Sequence, residues 1–192
     1  MKNNDIHGLT ADKAVTESTH KSERTERQFN ITFILVSGGH CIETLRVAEM
    51  FGSETKKSYI VFKGDKITKL KIKHEADIVE VTRSYQQVLK CNPLKLLLFT
   101  PKFFLAIFEG IRAMLKLRPD AVISTGSGPA IPIMVAARLT RKKVIYVESM
   151  ARVTSRSLTG VLAYHFLADL FFIQWPEQKL LYPNAIYEGR VL

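Results

Sequence analysis

NITFILVSGGHCIETL, residues 30–45, decides how the rest of the chain is read. A nearly continuous apolar run, NITFILV, passes into Val36-Ser37-Gly38-Gly39-His40, and a helical pattern begins at about Cys41 or Ile42. A strand without polar alternation is buried on both faces, which is the condition of a strand inside a helix-covered parallel sheet. Glycines at the carboxyl end of such a strand, just before a helix, let the backbone approach a ligand closely.

Outward from this stretch the same rhythm repeats. SYIVF (58–62), DIVEVT (77–82), DAVIST (120–125), KVIYVE (143–148) and DLFFIQ (169–174) read as further strands, with helices predicted at about 40–51, 101–117, 129–140 and 157–168. Alternating strands and helices predict an α/β fold with a Rossmann-like parallel sheet over residues 30–192. A chain of 192 residues, 46% hydrophobic, fills one sizeable core rather than two. Residues 1–29 lack core material and balance five basic against five acidic side chains, so a disordered polar tail is expected there.

The net charge of +10 therefore belongs wholly to residues 30–192 and favours anionic partners: nucleic acid, anionic lipid headgroups or phosphorylated small molecules. Nucleic acid is favoured by charge alone, because no recognised interleaving of aromatic and basic residues accompanies it. Cys41 and Cys91 have no CxxC spacing, so no metal site or disulfide framework is expected, and Cys41 reads as a small packing residue.

Three loops at strand ends carry the candidate chemistry. SGGH (37–40) fits neither the GxGxxG dinucleotide fingerprint nor a P-loop, which needs a lysine. His40 at its end suits phosphate contact or proton acceptance from a hydroxyl, and equally suits a helix-capping structural role. Thr125-Gly126-Ser127-Gly128-Pro129 follows the fourth strand; its hydroxyls and amides suit a sugar or phosphate, and its composition is also that of a plain turn. Glu148-Ser149-Met150-Ala151-Arg152 follows the fifth and brings a carboxylate and a guanidinium to the same edge, as site residues or as a rim ion pair.

Residues 94–117, LKLLLFTPKFFLAIFEGIRAMLKL, are apolar around much of a helical circumference and studded with cations. Thr100-Pro101 reads as a helix start. The stretch is too interrupted by charge to span a bilayer. Phe103, Phe104 and Phe108, flanked by Lys102 and Arg112, fit a helix lying in a membrane interface, a greasy crossover helix on the sheet, or one helix doing both.

Taken together, SGGHCIETL (37–45), DAVISTGSGPAIP (120–132), KVIYVESMARVTSRSLTG (143–160), ADLFFIQWPEQKLLYP (168–183) and AIYEGRVL (185–192) resemble the asparagine-linked glycosylation protein fourteen family and its bacterial capsule- and exopolysaccharide-synthesis relatives. The VES-AR-SL run and the QWP segment are the most specific parts. The resemblance covers about residues 30–192. It implies the acceptor-binding, N-terminal half of a GT-B glycosyltransferase, the membrane-associated subunit of a two-part enzyme whose small partner chain supplies the UDP-sugar domain. It implies acceptor or phosphate contacts from Ser37, Gly38, Gly39, Gly126, Ser127, Gly128, Ser149 and Arg152, to which the hydroxyl chemistry of the second loop adds Thr125. It also implies partner docking by a tail that includes Tyr187, Gly189, Val191 and Leu192, which otherwise reads as a last edge strand.

Eukaryotic members usually begin with a transmembrane helix and this sequence begins with a polar tail, which transfers the expected anchoring to residues 94–118 and predicts a peripheral protein on the cytoplasmic face of a membrane. The expected reaction moves N-acetylglucosamine or another hexose from UDP, held by the partner, to a lipid-diphosphate-linked saccharide held here. His40 is the first candidate for general base and Glu148 the second. No tightly bound cofactor is expected, and no metal where helix dipoles and loop amides neutralise the diphosphate. The alternative is a non-catalytic subunit that recruits the partner transferase to the membrane in polysaccharide or capsule synthesis.

Overall fold

A computed structural model describes residues 28–72, 75–84 and 93–191 of the chain. The predicted tail lies outside these residues except for Gln28 and Phe29, as do Cys91 and Leu192. Seven strands form one sheet: β1 (Asn30–Ile34), β2 (Lys56–Phe62), β3 (Asp77–Val81), β4 (Ala121–Ser124), β5 (Lys143–Val147), β6 (Leu170–Ile173) and β7 (Ile186–Tyr187). All adjacent strands are parallel, in the order β3-β2-β1-β4-β5-β6-β7. The chain builds leftward from β1, returns, and builds rightward from β4, so β1 and β4 are neighbours at the point where the order reverses. At such a point the connections leaving the two carboxyl ends diverge to opposite faces and open a crevice.

Apolar side chains on the two faces of the sheet make two cores. One, around Ile31, Phe33, Leu35, Tyr59 and Val61, packs against α1 (Gly39–Glu49). The other, around Ile34, Ile60, Val122 and Val144, packs against α3 (Pro93–Leu117) and α4 (Ile131–Leu139). That β1 and β2 contribute to both explains why their sequences show no polar alternation. A fifth helix, α5 (Leu158–Leu162), continues into a π-helical turn over Ala163–Leu167.

Two elements differ from the sequence expectation. A short helix, α2 (Lys66–Leu70), carries the crossover from β2 to β3; its signal is Asp65, whose carboxylate accepts the Thr68 amide at 3.0 Å as an N-cap. Helix α3 begins at Pro93, so Pro101 lies inside it rather than at its start. Proline at position N1 and proline in a helix interior look alike in sequence, because both follow from its fixed φ; the interior site loses one backbone hydrogen bond.

Candidate functional site at the reversal point of the sheet

β1 delivers the SGGH loop and β4 the TGSG loop to the two sides of the crevice. Ser37, Gly38 and Gly39 are exposed, and Gly38 stands at the N-cap of α1 with φ 91° and ψ −149°, a backbone conformation that L side chains rarely adopt. No side chain caps α1, and its first turn contains no acidic residue. The amino end of this eleven-residue helix is thus left without a side-chain cap, and in its first turn the Cys41 amide turns back to the Gly38 carbonyl at 3.2 Å. Beside it lies Arg83, from the segment after β3, donating to Ser37 Oγ at 2.8 Å while its guanidinium lies 5.7 Å from the centre of the Phe62 ring.

The second loop is internal by comparison. Thr125 is buried, and its hydroxyl donates to the His40 carbonyl at 3.1 Å and meets the Thr44 hydroxyl at 2.8 Å, stitching β4 to α1. Gly126, with φ 115°, lies so close to its surroundings that an added Cβ would stand 3.0 Å from Tyr146 Oη and 3.2 Å from His40 Cε1. Ser127 follows with φ 76°, strained for a residue with a side chain, and Gly128 begins a 3₁₀ turn into α4.

His40 joins the two loops. Its Nδ1 sits 3.1 Å from the Thr125 carbonyl oxygen and 3.6 Å from Glu43 Oε2, and about a third of its side chain (32%) remains exposed. The Glu43 carboxylate holds the imidazole pKa above 6.5 against the opposing effect of burial, with the Thr125 carbonyl adding to the rise.

The third loop is fastened from below. Glu148 is completely buried: Oε1 accepts from the Ser149 amide at 3.1 Å and Ser157 Oγ at 2.9 Å, and Oε2 accepts from Tyr182 Oη at 2.9 Å. Its carboxylate fills the space a side chain at Gly160 would need. Both oxygens are engaged inside the protein, so Glu148 shapes the floor of the site rather than its surface. The Ser149 hydroxyl is likewise internal, donating to Glu43 Oε1 at 3.1 Å. Arg152 is exposed and donates to Ser155 Oγ at 3.4 Å; among the described residues it makes no ion pair with Glu148. The QWP segment clamps this loop: Gln174 Nε2 donates to the Glu148 carbonyl at 3.0 Å, Trp175 Nε1 to the Met150 carbonyl at 2.8 Å, and Gln178 Nε2 to the Arg152 carbonyl.

The structure therefore gathers the three predicted loops at one edge of the sheet and divides their residues. Ser37, Gly38, Gly39 and Arg152 are exposed, and His40, Ser127 and Gly128 are half-buried; Thr125, Gly126, Glu148 and Ser149 lie beneath them. Glu43 and Arg83 are additions that the sequence reading did not single out. His-x-x-Glu at the start of a helix is a visible signal, since residues three apart share a helix face; Arg83 carries none beyond its place after a strand.

Away from the crevice, α3 exposes Lys102, Phe104, Phe108 and Arg112, with Phe103 half-buried and the Arg112 guanidinium 5.9 Å from the Phe108 ring centre. No helix among the described residues is long and apolar enough to cross a membrane. At the far edge, Tyr187 lies in β7, paired with Ile173 of β6; Gly189 has φ 106° and the Val191 amide donates to Gln174 Oε1 at 3.1 Å. Glu188 to Val191 line an apolar groove of about 380 Å³ together with Val47, Met50 and Phe172. A larger hollow of about 880 Å³ lies beside Lys56 and Asp77, at the amino ends of β2 and β3, and contains none of the predicted site residues.

Residues 31–191 match the family model described as oligosaccharide biosynthesis protein Alg14 like. The chain belongs to the Alg14-like family. It is similar to the UDP-N-acetylglucosamine transferase subunit ALG14 of Rattus norvegicus, 31% identical over 88% of this chain and 86% of that protein. It is also similar to the protein of the same name in Mus musculus, 32% identical over 81% of this chain and 80% of that one. Among solved structures, MurG of Acinetobacter baumannii superimposes with a TM-score of 0.62 at 20% identity, over 78% of this chain and 42% of MurG. UDP-N-acetylglucosamine 2-epimerase of Rickettsia bellii does so with 0.62 at 14% identity, over 85% and 45%. The Alg14-like chain spans less than half of each of these two structures, and what it shares with them is the fold: one Rossmann-like half of the GT-B arrangement.

Proposed function

We propose that this chain is the acceptor-binding, membrane-associating subunit of a two-chain glycosyltransferase. The partner presents a UDP-sugar, N-acetylglucosamine or another hexose, and this chain holds a saccharide linked through diphosphate to a lipid. The carrying observation is a partly exposed imidazole, pinned between two glycine loops, beside an uncapped helix amino end and the Arg83 guanidinium. Amides at a helix start and a guanidinium are complementary to phosphate oxygens, and an imidazole suits a hydroxyl that must lose its proton. Relatives named as UDP-N-acetylglucosamine transferase subunits support both the donor and the need for a partner.

In the reaction the acceptor hydroxyl oxygen bonds to the anomeric carbon as the bond from that carbon to the UDP oxygen breaks. His40 takes the hydroxyl proton and UDP leaves as the anion. Ser37, Gly38, Gly39, Ser127, Gly128 and Arg152 contact the acceptor; Thr125, Gly126, Ser149 and Glu148 hold those contacts in place. The final segment, Tyr187 to Val191, supports docking of the partner. Helix α3 leads into the amino end of β4 and runs back along the sheet until Glu109 meets Lys63 and the Thr82 amide, just past the carboxyl ends of β2 and β3, so Lys102, Phe104 and Phe108 stand toward the crevice end of the sheet. Inserting those rings among lipid headgroups would bring the lipid carrier to the crevice. Changing both Phe104 and Phe108 to Ser should weaken binding to anionic vesicles roughly tenfold or more.

The test is transfer by the chain reconstituted with its partner. His40→Ala should lower the rate by about 10²-fold or more while the domain stays folded. The rate with the native chain should rise with pH through the raised His40 pKa, above 6.5, because the base acts only when unprotonated. Full activity in His40→Ala would reject His40 as the base. A chain that alone bound UDP-sugar tightly and used soluble acceptors would reject the division of labour.

A further inference from the structure

Glu43 is buried at 6% exposure, and its two oxygens have different fates. Oε1 accepts the Ser149 hydroxyl and the Met150 amide, each at 3.1 Å. Oε2 is sealed from solvent without a hydrogen-bond partner, 3.6 Å from His40 Nδ1. A buried carboxylate oxygen left unpaired is costly unless a charge arrives for it. The same Nδ1 lies 3.1 Å from the Thr125 carbonyl, which can only accept, so Nδ1 carries the proton. Among the described residues Nε2 has no hydrogen-bond partner. From these contacts we infer that Glu43 is a positioning residue for His40: with the Thr125 carbonyl it fixes the Nδ1–H tautomer, leaves Nε2 as the basic nitrogen turned to the crevice, and balances the imidazolium once Nε2 takes a proton.

The other groups facing the ring fit this division. Glu148, beyond β5, adds a weaker attraction for imidazolium, while the Tyr146 hydroxyl on β5 stays protonated because burial raises its pKa strongly. Since the His40 pKa is raised in the folded chain, the coupling contributes stability that is complete below 6.5 and is lost as pH rises through the folded value. Glu43 also bonds the loop at Ser149 and Met150, so one carboxylate ties the base to the third loop.

The role of Glu43 in transfer rests on the function proposed above; the tautomer and the charge coupling do not. The experiment is nitrogen NMR of imidazole-labelled histidine in the full chain, with the His40 signal assigned by its loss in His40→Ala. The native chain should show Nδ1–H and a midpoint above 6.5. Glu43→Gln keeps an oxygen for Ser149 and Met150 but removes the charge, and should move the midpoint down toward the ordinary histidine value. Should that variant not fold, Glu43→Asp, which draws the charge back by one methylene, should give a smaller fall. An Nε2–H tautomer in the native chain, or a midpoint unmoved in the folded variants, overturns the inference. In the reconstituted pair Glu43→Gln should lower kcat about tenfold or more with little change in KM and move the rising pH limb downward. A midpoint that falls as expected while His40→Ala transfers normally upholds the coupling and overturns only the role of His40 as base.

Discussion

The two glycine loops at the crevice look alike in sequence, and the structure surrounds Gly38 and Gly39 of the first and Gly126 of the second differently. Around Gly38 and Gly39 a Cβ would meet nothing within 4 Å, whereas around Gly126 it would meet Tyr146 and His40. Space is left open at the first loop and filled at the second. The first loop thus leaves room beside its backbone, while the second closes around the histidine. Substitutions that add one methyl group test this difference, because the same chemical change falls on a closed site in one loop and an open site in the other.

The largest effect is expected at the closed site. Gly126→Ala must accommodate both the φ of 115° and the approach to Tyr146 Oη and His40 Cε1. The combination should cost about 2 kcal/mol or more of folding stability. It should also disturb the His40 titration, because the ring has to move from the Thr125 carbonyl. Thermal unfolding and the histidine NMR signal would measure both; a variant as stable as the native chain, with an unmoved His40, would break the contrast.

Gly38→Ala comes next. Its φ of 91° still opposes a side chain, but no neighbour does, so the cost should be about 1–2 kcal/mol from the backbone alone. Denaturant unfolding should place this variant between the native chain and Gly126→Ala. A cost equal to that of Gly126→Ala would mean that crowding contributes nothing at the second loop.

This contrast also marks where the sequence was legible. The sheet was, because β1 and β2 are buried on both faces and their apolar runs leave no other period to choose. All three loops were placed at the correct edge, since each follows such a run. What a single sequence withholds is which polar group faces which side: Thr125, Ser149 and Glu148 carry the same chemistry whether they meet a ligand or one another, and only the packing of α1 against β4 and of Tyr182 under β5 turns them inward. Glu43 stood in view in the quoted SGGHCIETL, three residues after His40, but its partners at Ser149 and Met150 are more than a hundred residues distant along the chain. The start of α3 is not legible, for the local reason that Pro101 is as compatible with a first turn as with an interrupted interior.

The smallest stability effect should be the most informative about ligand. Gly39 is the first residue of α1, is exposed, has no left-handed φ and leaves open space where a Cβ would stand. Nothing internal requires glycine there, and alanine is the better helix former, so Gly39→Ala should change folding stability by no more than about 0.5 kcal/mol. Yet the methyl group would stand at the uncapped amides of α1, where a phosphate oxygen would have to come within hydrogen-bond distance. If the acceptor diphosphate seats on that helix end, Gly39→Ala in the reconstituted pair should raise the KM for the lipid-linked acceptor while leaving that for UDP-sugar unchanged. A variant indistinguishable from the native chain in both stability and acceptor KM would mean that the open space at the first loop receives no part of the acceptor.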